Sequence, residues 1–453
     1  MEKYDVIIVG SGPAAIFSAL TLEYNGITNI AIFEKGRELH LRDRKMDVSH
    51  GWGGSGAFCD GKLILSSEVG GWLNEFISPS ELSNLIDRVD NIYLNFGAPN
   101  EVTLGSVSEL EDLQSKSKLA GMEFIPTKVR HLGTENCGMV LSKMRNHFRG
   151  FDIFFETPIK EFIVENKKVV GVVKEDGSEV RSKYVICGPG RAGAEWMRGE
   201  SERIGLSFQT NPVDIGVRIE LSSDVFDKVT GIAHDTKFVY YSKTFDDKVR
   251  TFCVNPCGQV ILEKVNGVFT VNGHSYKSRK TSNTNFAVLV SIPFKEEPFR
   301  DAIAYGKYIV NLANILGSGV IVQRLGDLLA GRRSTVNRIS KSIVRPTLTE
   351  ANPGDLSLVL PYRYLKDIIE MLEALDKVTP GVFSKDTLLY GVEVKFYTNR
   401  IKVSKVMESE IENLFLIGDG AGITRGLVQA SVSGLIAASE IVRRMEHDCI
   451  QSI

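Results

Sequence analysis

One stretch near the start limits the fold more than any other: "YDVIIVGSGPAAIFSALTLEYNG", followed at once by "NIAIFEKG". The run Val6 to Val9 is apolar throughout and reads as a buried strand, while the small and apolar residues after the glycines read as a helix ending near Gly26. A second strand then ends at Glu34. In this βαβ unit Gly10, Gly12 and Ala15 hold the three positions of the G-x-G-x-x-G/A pattern, with Pro13 and Ala14 between them. Gly10 allows the sharp turn, Gly12 leaves the backbone open to a pyrophosphate, and Ala15 lets the helix approach the sheet. The helix start then offers free N–H groups and the positive end of its dipole to phosphate. Glu34 stands where a carboxylate accepts from the adenosine ribose hydroxyls and repels a 2′-phosphate. An adenine dinucleotide is the expected ligand, and at this point both FAD and NAD remain open.

Composition excludes several other classes. The 453 residues are 43% hydrophobic and 24% charged, enough for sizeable cores and a prior of two domains. A net charge of -2 gives no basis for nucleic-acid or anionic-membrane binding. The six cysteines are scattered, as in a reducing, cytoplasmic setting. "MEKYDVIIVG" enters a strand directly, without the pattern of a signal peptide. The apolar stretches around 308 to 323 and 427 to 439 fall short of the roughly 20 residues of a spanning helix. A soluble protein without a membrane span is expected.

A second glycine pattern, Gly188, Gly190 and Gly193 in "KYVICGPGRAGAEWMRG", invites a separate nicotinamide-dinucleotide domain. The residues before it read instead as a strand and a three-stranded meander, with turns at Glu165 to Lys168 and Asp176 to Gly177. No second parallel strand ending in an acid follows. By analogy with two-dinucleotide flavoproteins, such a meander returns to the first sheet, with Pro158 and Ile159 near the adenine and Gly188, Pro189 and Gly190 near the phosphates. Near the C-terminus, "ENLFLIGDGAGITRGLVQASVSGLIAASEIVRRM" places Asp419, in Gly418-Asp419-Gly420, just beyond an apolar strand. That carboxylate suits a ribityl hydroxyl, which shifts the choice from NAD to FAD. The helix starting near Gly426, Leu427 and Val428 would direct its N-terminus at the flavin pyrimidine edge.

"VIIVGSGPAA", "FCDGKL", "RHLGTE", "VICGPGRAG", "RTFCVNPCGQV", "NGHSY", "LYGVEV" and "GDGAGITRGLVQASVSG", taken together, resemble the uncharacterised FAD-dependent, or NAD(FAD)-utilising, dehydrogenase family. The resemblance covers nearly the whole chain. It implies an α/β fold: a discontinuous Rossmann-like FAD-binding domain of the two-dinucleotide-binding type with an inserted, mainly antiparallel β substrate domain. The expected boundaries are 1–210 and 345–453 for the two FAD-binding parts and 211–344 for the insertion. Similar members carry Cys-x-Cys-Pro-Gly-Gly where this chain has Cys253-Val254-Asn255-Pro256-Cys257-Gly258, so a shared role for those cysteines is not carried over.

In this frame "GWGGSGAFCDGKL" becomes a flavin-facing loop, reached from the Glu34 strand through Lys35 and a basic connection containing Arg37, Arg42 and Arg44. Lys35, Arg42, Gly53, Gly54, Ser55 and Gly56 join the expected cofactor contacts. The insertion should cover the flavin face and choose a small-molecule substrate. His131 and His274 are candidate general acids, Cys59 a candidate thiol beside the flavin, and Arg332 with Arg333 a candidate anion fork. Cys253 and Cys257 have neither redox C-x-x-C spacing nor a complete metal set, so no metal is expected. The expected activity is an FAD-dependent oxidoreductase exchanging a hydride at flavin N5, with NAD(P)H as a possible donor. Alternatives are a flavoprotein without net redox turnover, such as an isomerase or RNA-modifying enzyme, and a non-catalytic flavin-binding regulator. Nothing in the sequence assigns an oligomeric state.

Overall fold

The structure is a computed structural model describing residues 3–43, 47–265, 267–276, 279–292 and 301–451. The chain forms two compact units: Met1–Glu101, Arg130–Asn211 and Tyr397–Ile453 make the first, and Val102–Val129 with Pro212–Phe396 the second. The fold is mixed α/β, with a parallel-strand sheet in the first unit and a mainly antiparallel sheet in the second.

In the first unit the strand Lys3–Val9 pairs in parallel with Ile30–Phe33 on one side and Glu179–Cys187 on the other. Asp152–Phe154 extends the sheet beyond Ile30–Phe33, and Leu414–Leu416 pairs with the end of Glu179–Cys187. All five strands are parallel, which brings their C-terminal ends to one edge. The four residues Val6 to Val9 are buried on both sides, as a parallel strand covered by helices requires. The first part of Glu179–Cys187 also pairs with Lys168–Lys174, which pairs with Ile159–Glu165, both antiparallel. This is the expected meander returning to the first sheet. The second glycine pattern therefore closes a strand of that same sheet and opens no new dinucleotide fold. Asn166 and Lys167, both at positive φ, turn the meander's first corner.

The helix Pro13–Tyr24 lies against the long helix Leu427–Gln451 at very close range. Its closest point is Gly434, where a Cβ would strike the Ala14 carbonyl and lie 2.8 Å from Ser18 Oγ. Ser18 Oγ donates to both Ala14 and Gly434 carbonyls, fixing that crossing. The first and last parts of the chain thus share one core.

In the second unit, Val213–Ser222 runs antiparallel to Asn283–Ile292 over ten residues and to Leu388–Lys395 on its other side. Ile215, Val217, Ile219 and Leu221 point into a core shared with Ile368, Met371, Leu372 and Leu375 of the helix Tyr362–Val378. The expected boundary at 344/345 is corrected here: residues 345–396 belong to the second unit, because Leu388–Lys395 is a central strand of its sheet. Residues 102–129 also join it, through Met122–Ile125 paired with Lys237–Tyr241.

Candidate functional site

Three of the parallel strands of the first unit, Lys3–Val9, Glu179–Cys187 and Leu414–Leu416, deliver glycine-rich turns to the same edge of the sheet. Gly10 donates to the Phe33 carbonyl, Gly188 to the Val9 carbonyl and Ile417 to the Cys187 carbonyl, each at 2.8 to 3.0 Å, so the ladder continues one residue past the strands. Gly10 has φ +96°, and a Cβ there would collide with the Gly188 carbonyl. Only glycine fits that turn at that distance. Gly12 differs: its φ is -75°, and a Cβ built on it meets nothing within 4 Å. The space above Gly12 is open, and no side chain caps the helix that it begins.

The expected loop lies directly against this turn. Gly53 donates to the Ser11 carbonyl at 2.9 Å, and a Cβ on Gly54 would stand 3.2 Å from Gly12 Cα. One on Gly56 would stand 3.1 Å from Leu427 Cδ2 and 3.4 Å from Pro13 Cγ. Fully buried Trp52 anchors the loop by donating from Nε1 to the Leu141 carbonyl at 2.9 Å. Ser55 is half-buried. The C-terminal loop closes the other side, with Gly418 backed by Ala14 and its N–H donating to Ser433 Oγ at 2.9 Å. Val428 and Ala15 are both buried in the core beneath it.

Glu34 is buried at the end of its strand. Its Oε2 accepts from Ser11 N and Oγ at 2.9 and 2.7 Å, and its Oε1 accepts from Gly36 N and Gly51 N at 2.8 and 2.9 Å. The carboxylate therefore ties the fingerprint turn to the start of the loop. Thr157 donates to the Glu34 carbonyl, which brings Pro158 and Ile159 to this corner, and Lys35 Nζ donates to the Ala192 carbonyl beyond Pro189 and Gly190.

Arg42 is engaged differently from a phosphate clamp. Its guanidinium donates to the carbonyls of Asp47, Trp52 and Gly54 and lies 4.6 Å over the Phe58 ring. Burial brings its pKa down to about 10, against the opposing pull of Glu34 and Asp47. It holds the loop's backbone in place. Arg44 lies outside the described residues.

Asp419 keeps 24% of its side chain accessible, yet desolvation raises its pKa, opposed by Arg191, Thr424 and Arg425. It sits deep in the loop without being sealed. Oδ1 accepts from Thr424 Oγ1 at 2.9 Å, and Oδ2 lies 3.5 Å from Arg191 Nε, beside Gly190.

Sequence reasoning missed the segment Val69-Gly70-Gly71-Trp72. Gly70 O accepts from Arg425 N at 2.6 Å, Val69 O from Gln429 Nε2 at 3.1 Å, and Trp72 N donates to Ile423 O at 3.0 Å. Arg425 is held between Trp72 and Tyr397, with ring centroids at 4.4 and 3.6 Å. Gln429 is buried, and its Oε1 has no hydrogen-bond partner. The signal was a second Gly-Gly beside a tryptophan, repeating the texture of Trp52-Gly53-Gly54.

The four weaker candidates divide between the units. Cys59 and His131 belong to the first, where Leu132 N donates to the Gly61 carbonyl and joins their two segments. His274 and Arg332 belong to the second. His274 ends the strand Val268–His274 with its ring edge-on to Tyr276, and Arg332 is exposed with Nε on Asp327 Oδ1 at 2.9 Å. That bond and Arg332 N on the Asp327 carbonyl make it a brace for the turn after Leu325–Leu329. Arg333 is exposed. Cys253 and Cys257 are not joined in a disulfide, and both have positive φ, at the irregular end of Lys248–Asn255.

The groups of the first unit fit an adenine dinucleotide. An open glycine, an uncapped helix start, a buried acid at the second strand's end and a buried, unpartnered acceptor at Gln429 all stand on one sheet edge or the loops joined to it. No helix among the described residues is long and apolar enough to cross a membrane.

Residues 212–396 match the family model described as FAD-dependent protein, C-terminal domain-like, and residues 345–448 match the one described as glucose inhibited division protein A. An uncharacterized protein of Clostridium beijerinckii is 25% identical over 474 residues, covering 97% of this chain and 81% of that one. Among solved structures, a geranylgeranyl bacteriochlorophyll reductase-like protein of Thermoplasma acidophilum is 14% identical, with a TM-score of 0.46, covering 99% of this chain and 80% of that one. The glycerol-3-phosphate dehydrogenase of Bacillus halodurans, complexed with FAD, is 11% identical, with a TM-score of 0.43, covering 98% of this chain and 65% of that one. The match over residues 212–396 is to a family of FAD-dependent proteins, in line with the resemblance that the sequence motifs carry.

Proposed function

We propose that the protein is an oxidoreductase that binds FAD along the glycine edge of its first unit and passes a hydride between a small-molecule substrate and flavin N5. The observation that carries this reading is the convergence of Gly12, Glu34, the Gly53 to Gly56 loop and Asp419 on that edge. When bound, FAD supplies the two-electron chemistry itself. The chain supplies position. The uncapped start of Pro13–Tyr24 receives the pyrophosphate over Gly12, where no side chain blocks approach. Glu34 sets the ribose end and, through Ser11 and Gly51, keeps the turn and the loop in register with it. Asp419 accepts from a ribityl hydroxyl, and its raised pKa reflects the desolvation that such a bond would relieve. Gln429 Oε1 offers an acceptor to an N–H of the ring system.

The substrate, and NAD(P)H as the donor, belong to the test. Purified protein should be yellow and release FAD, not FMN, on denaturation; colourless protein that takes up no FAD on reconstitution would overturn the reading. Anaerobic titration with NADH, NADPH and a panel of metabolites should then bleach the flavin band with at least one of them. Tight FAD that no donor reduces would instead indicate a flavin-binding regulator.

A further inference from the structure

The structure brings together two cysteines that lie far apart in the chain and that the hydride reading does not use. Cys59 follows the Gly54–Ala57 turn, and Cys137 lies in the first turns of the helix Thr134–His147. Cys137 Sγ approaches the Cys59 carbonyl at 3.9 Å and the Gly133 carbonyl at 3.4 Å. Cys59 Sγ contacts the Gly56 carbonyl at 3.3 Å and accepts from Gly61 N at 3.3 Å. Gly61 lies between the two thiols: a Cβ there would stand 2.7 Å from Cys137 Sγ and 2.9 Å from Leu132 Cβ. The bare glycine is what lets the two segments meet. The neighbouring Cys59 side chain, burial and the nearby charges of Asp60 and Glu135 raise the Cys137 pKa. Both thiols are free, Cys59 half-buried and Cys137 buried.

We propose that Cys59 and Cys137 form a dithiol–disulfide couple that exchanges with low-molecular-weight disulfides. Cys59, the accessible member, attacks as its thiolate on one sulfur of the small disulfide; one thiolate leaves and takes up the proton that Cys59 gave to solvent. Cys137 then attacks Cys59 Sγ in the mixed disulfide, and its proton goes with the second departing thiolate. Two protein thiols are oxidised to one disulfide, and one small disulfide is reduced to two thiols. The oxidised form ties the glycine loop covalently to the helix Thr134–His147, next to the backbone that packs on Pro13 and Leu427. The couple needs no flavin for this exchange, so its failure and that of the FAD reading are separable.

The test uses the purified, reduced full-length protein and glutathione disulfide, followed by alkylation, intact mass and peptide mapping. The expected product has lost two hydrogens and carries a peptide linking Cys59 to Cys137. Cys137→Ser should instead accumulate one glutathione adduct, at Cys59. Cys59→Ser, whose fold is verified by circular dichroism, should lose its Cys137 thiol at least about tenfold more slowly than wild type. Separate glutathione adducts on both cysteines of the wild type, thiols that stay free under excess disulfide, or a link confined to Cys253 and Cys257 would each overturn the proposal.

Discussion

The two units handle polarity in opposite ways. In the first, the residues Val6 to Val9, Ile30–Phe33 and Leu414–Leu416 are apolar, and the two acids of the glycine edge stand beyond the strand ends: Glu34 after Ile30–Phe33 and Asp419 after Leu414–Leu416. In the second, ionic groups lie within the strands themselves. Arg218 and Glu393, both fully buried, form a two-pronged pair with both N–O distances at 2.8 Å, and Lys395 joins Glu393 at 2.9 Å. The difference follows from strand direction. A parallel sheet gathers turn backbone and helix starts at one edge, where a ligand is met by N–H groups and small residues suffice. An antiparallel sheet offers side chains from its face, so recognition and neutralisation both fall to long residues. Burial then demands that each charge find a partner within the sheet.

The sharpest way to break this comparison is Glu393→Ala. It strands a buried guanidinium, which should cost about 3 to 5 kcal/mol in chemical denaturation. Replacing Arg218 and Glu393 together with apolar residues should recover most of that loss. A single substitution costing under about 1 kcal/mol would mean that the pair is not desolvated. Next comes Gly10→Ala, which forces an alanine to φ +96° against the Gly188 carbonyl. Left-handed strain alone costs roughly 1 to 3 kcal/mol. Gly12→Ala, two residues on, should leave stability within about 0.5 kcal/mol because its Cβ enters open space. It should nevertheless lower FAD retention at least about tenfold, measured by dialysis and absorbance. If both alanines acted alike, the division between a structural and a ligand-facing glycine would fail.

The smallest effect concerns a carboxyl in the second unit whose local cation is already engaged. Burial raises the Asp367 pKa to about 6, and Asp247, which Arg363 holds in a two-pronged contact, adds to the rise. Stability from protonated Asp367 is fully present below its ordinary value of 3.8 and is lost as pH rises through about 6. Asp367→Asn should therefore raise the melting temperature above pH 6 and give no gain near pH 4. Parallel melting curves for both proteins across that range would sink the assignment.

Much of the first unit could be read from local pattern. The apolar run, glycine spacing and following acid fall within 34 residues, and the meander's corners stand at the turns expected for them. Arg42 shows the limit of that reading. A basic residue between the acid and the glycine loop suggests phosphate, yet its guanidinium braces the carbonyls of 47, 52 and 54. Val69 to Trp72 escaped notice because their significance comes from pairing with residues 423 to 429, more than 350 positions away. The second unit's boundary was misplaced for a related reason. Whether 388–395 returns to the first sheet or pairs with 213–222 depends on which edge is free, and an apolar strand carries no address.

The sequence by itself determined a glycine turn between an apolar strand and a helix, an acid at the next strand's end, and a glycine-acid loop before the last helix. These are short-range consequences of steric freedom, periodicity and hydrogen-bonding capacity. Only the tertiary structure decided that Gly10 rather than Gly12 is pressed against Gly188, that Arg218 pairs with Glu393, and that Cys59 meets Cys137 across Gly61. Close packing and hydrogen bonding act over a few ångströms, so which distant residues come within that range is set by the packed chain as a whole.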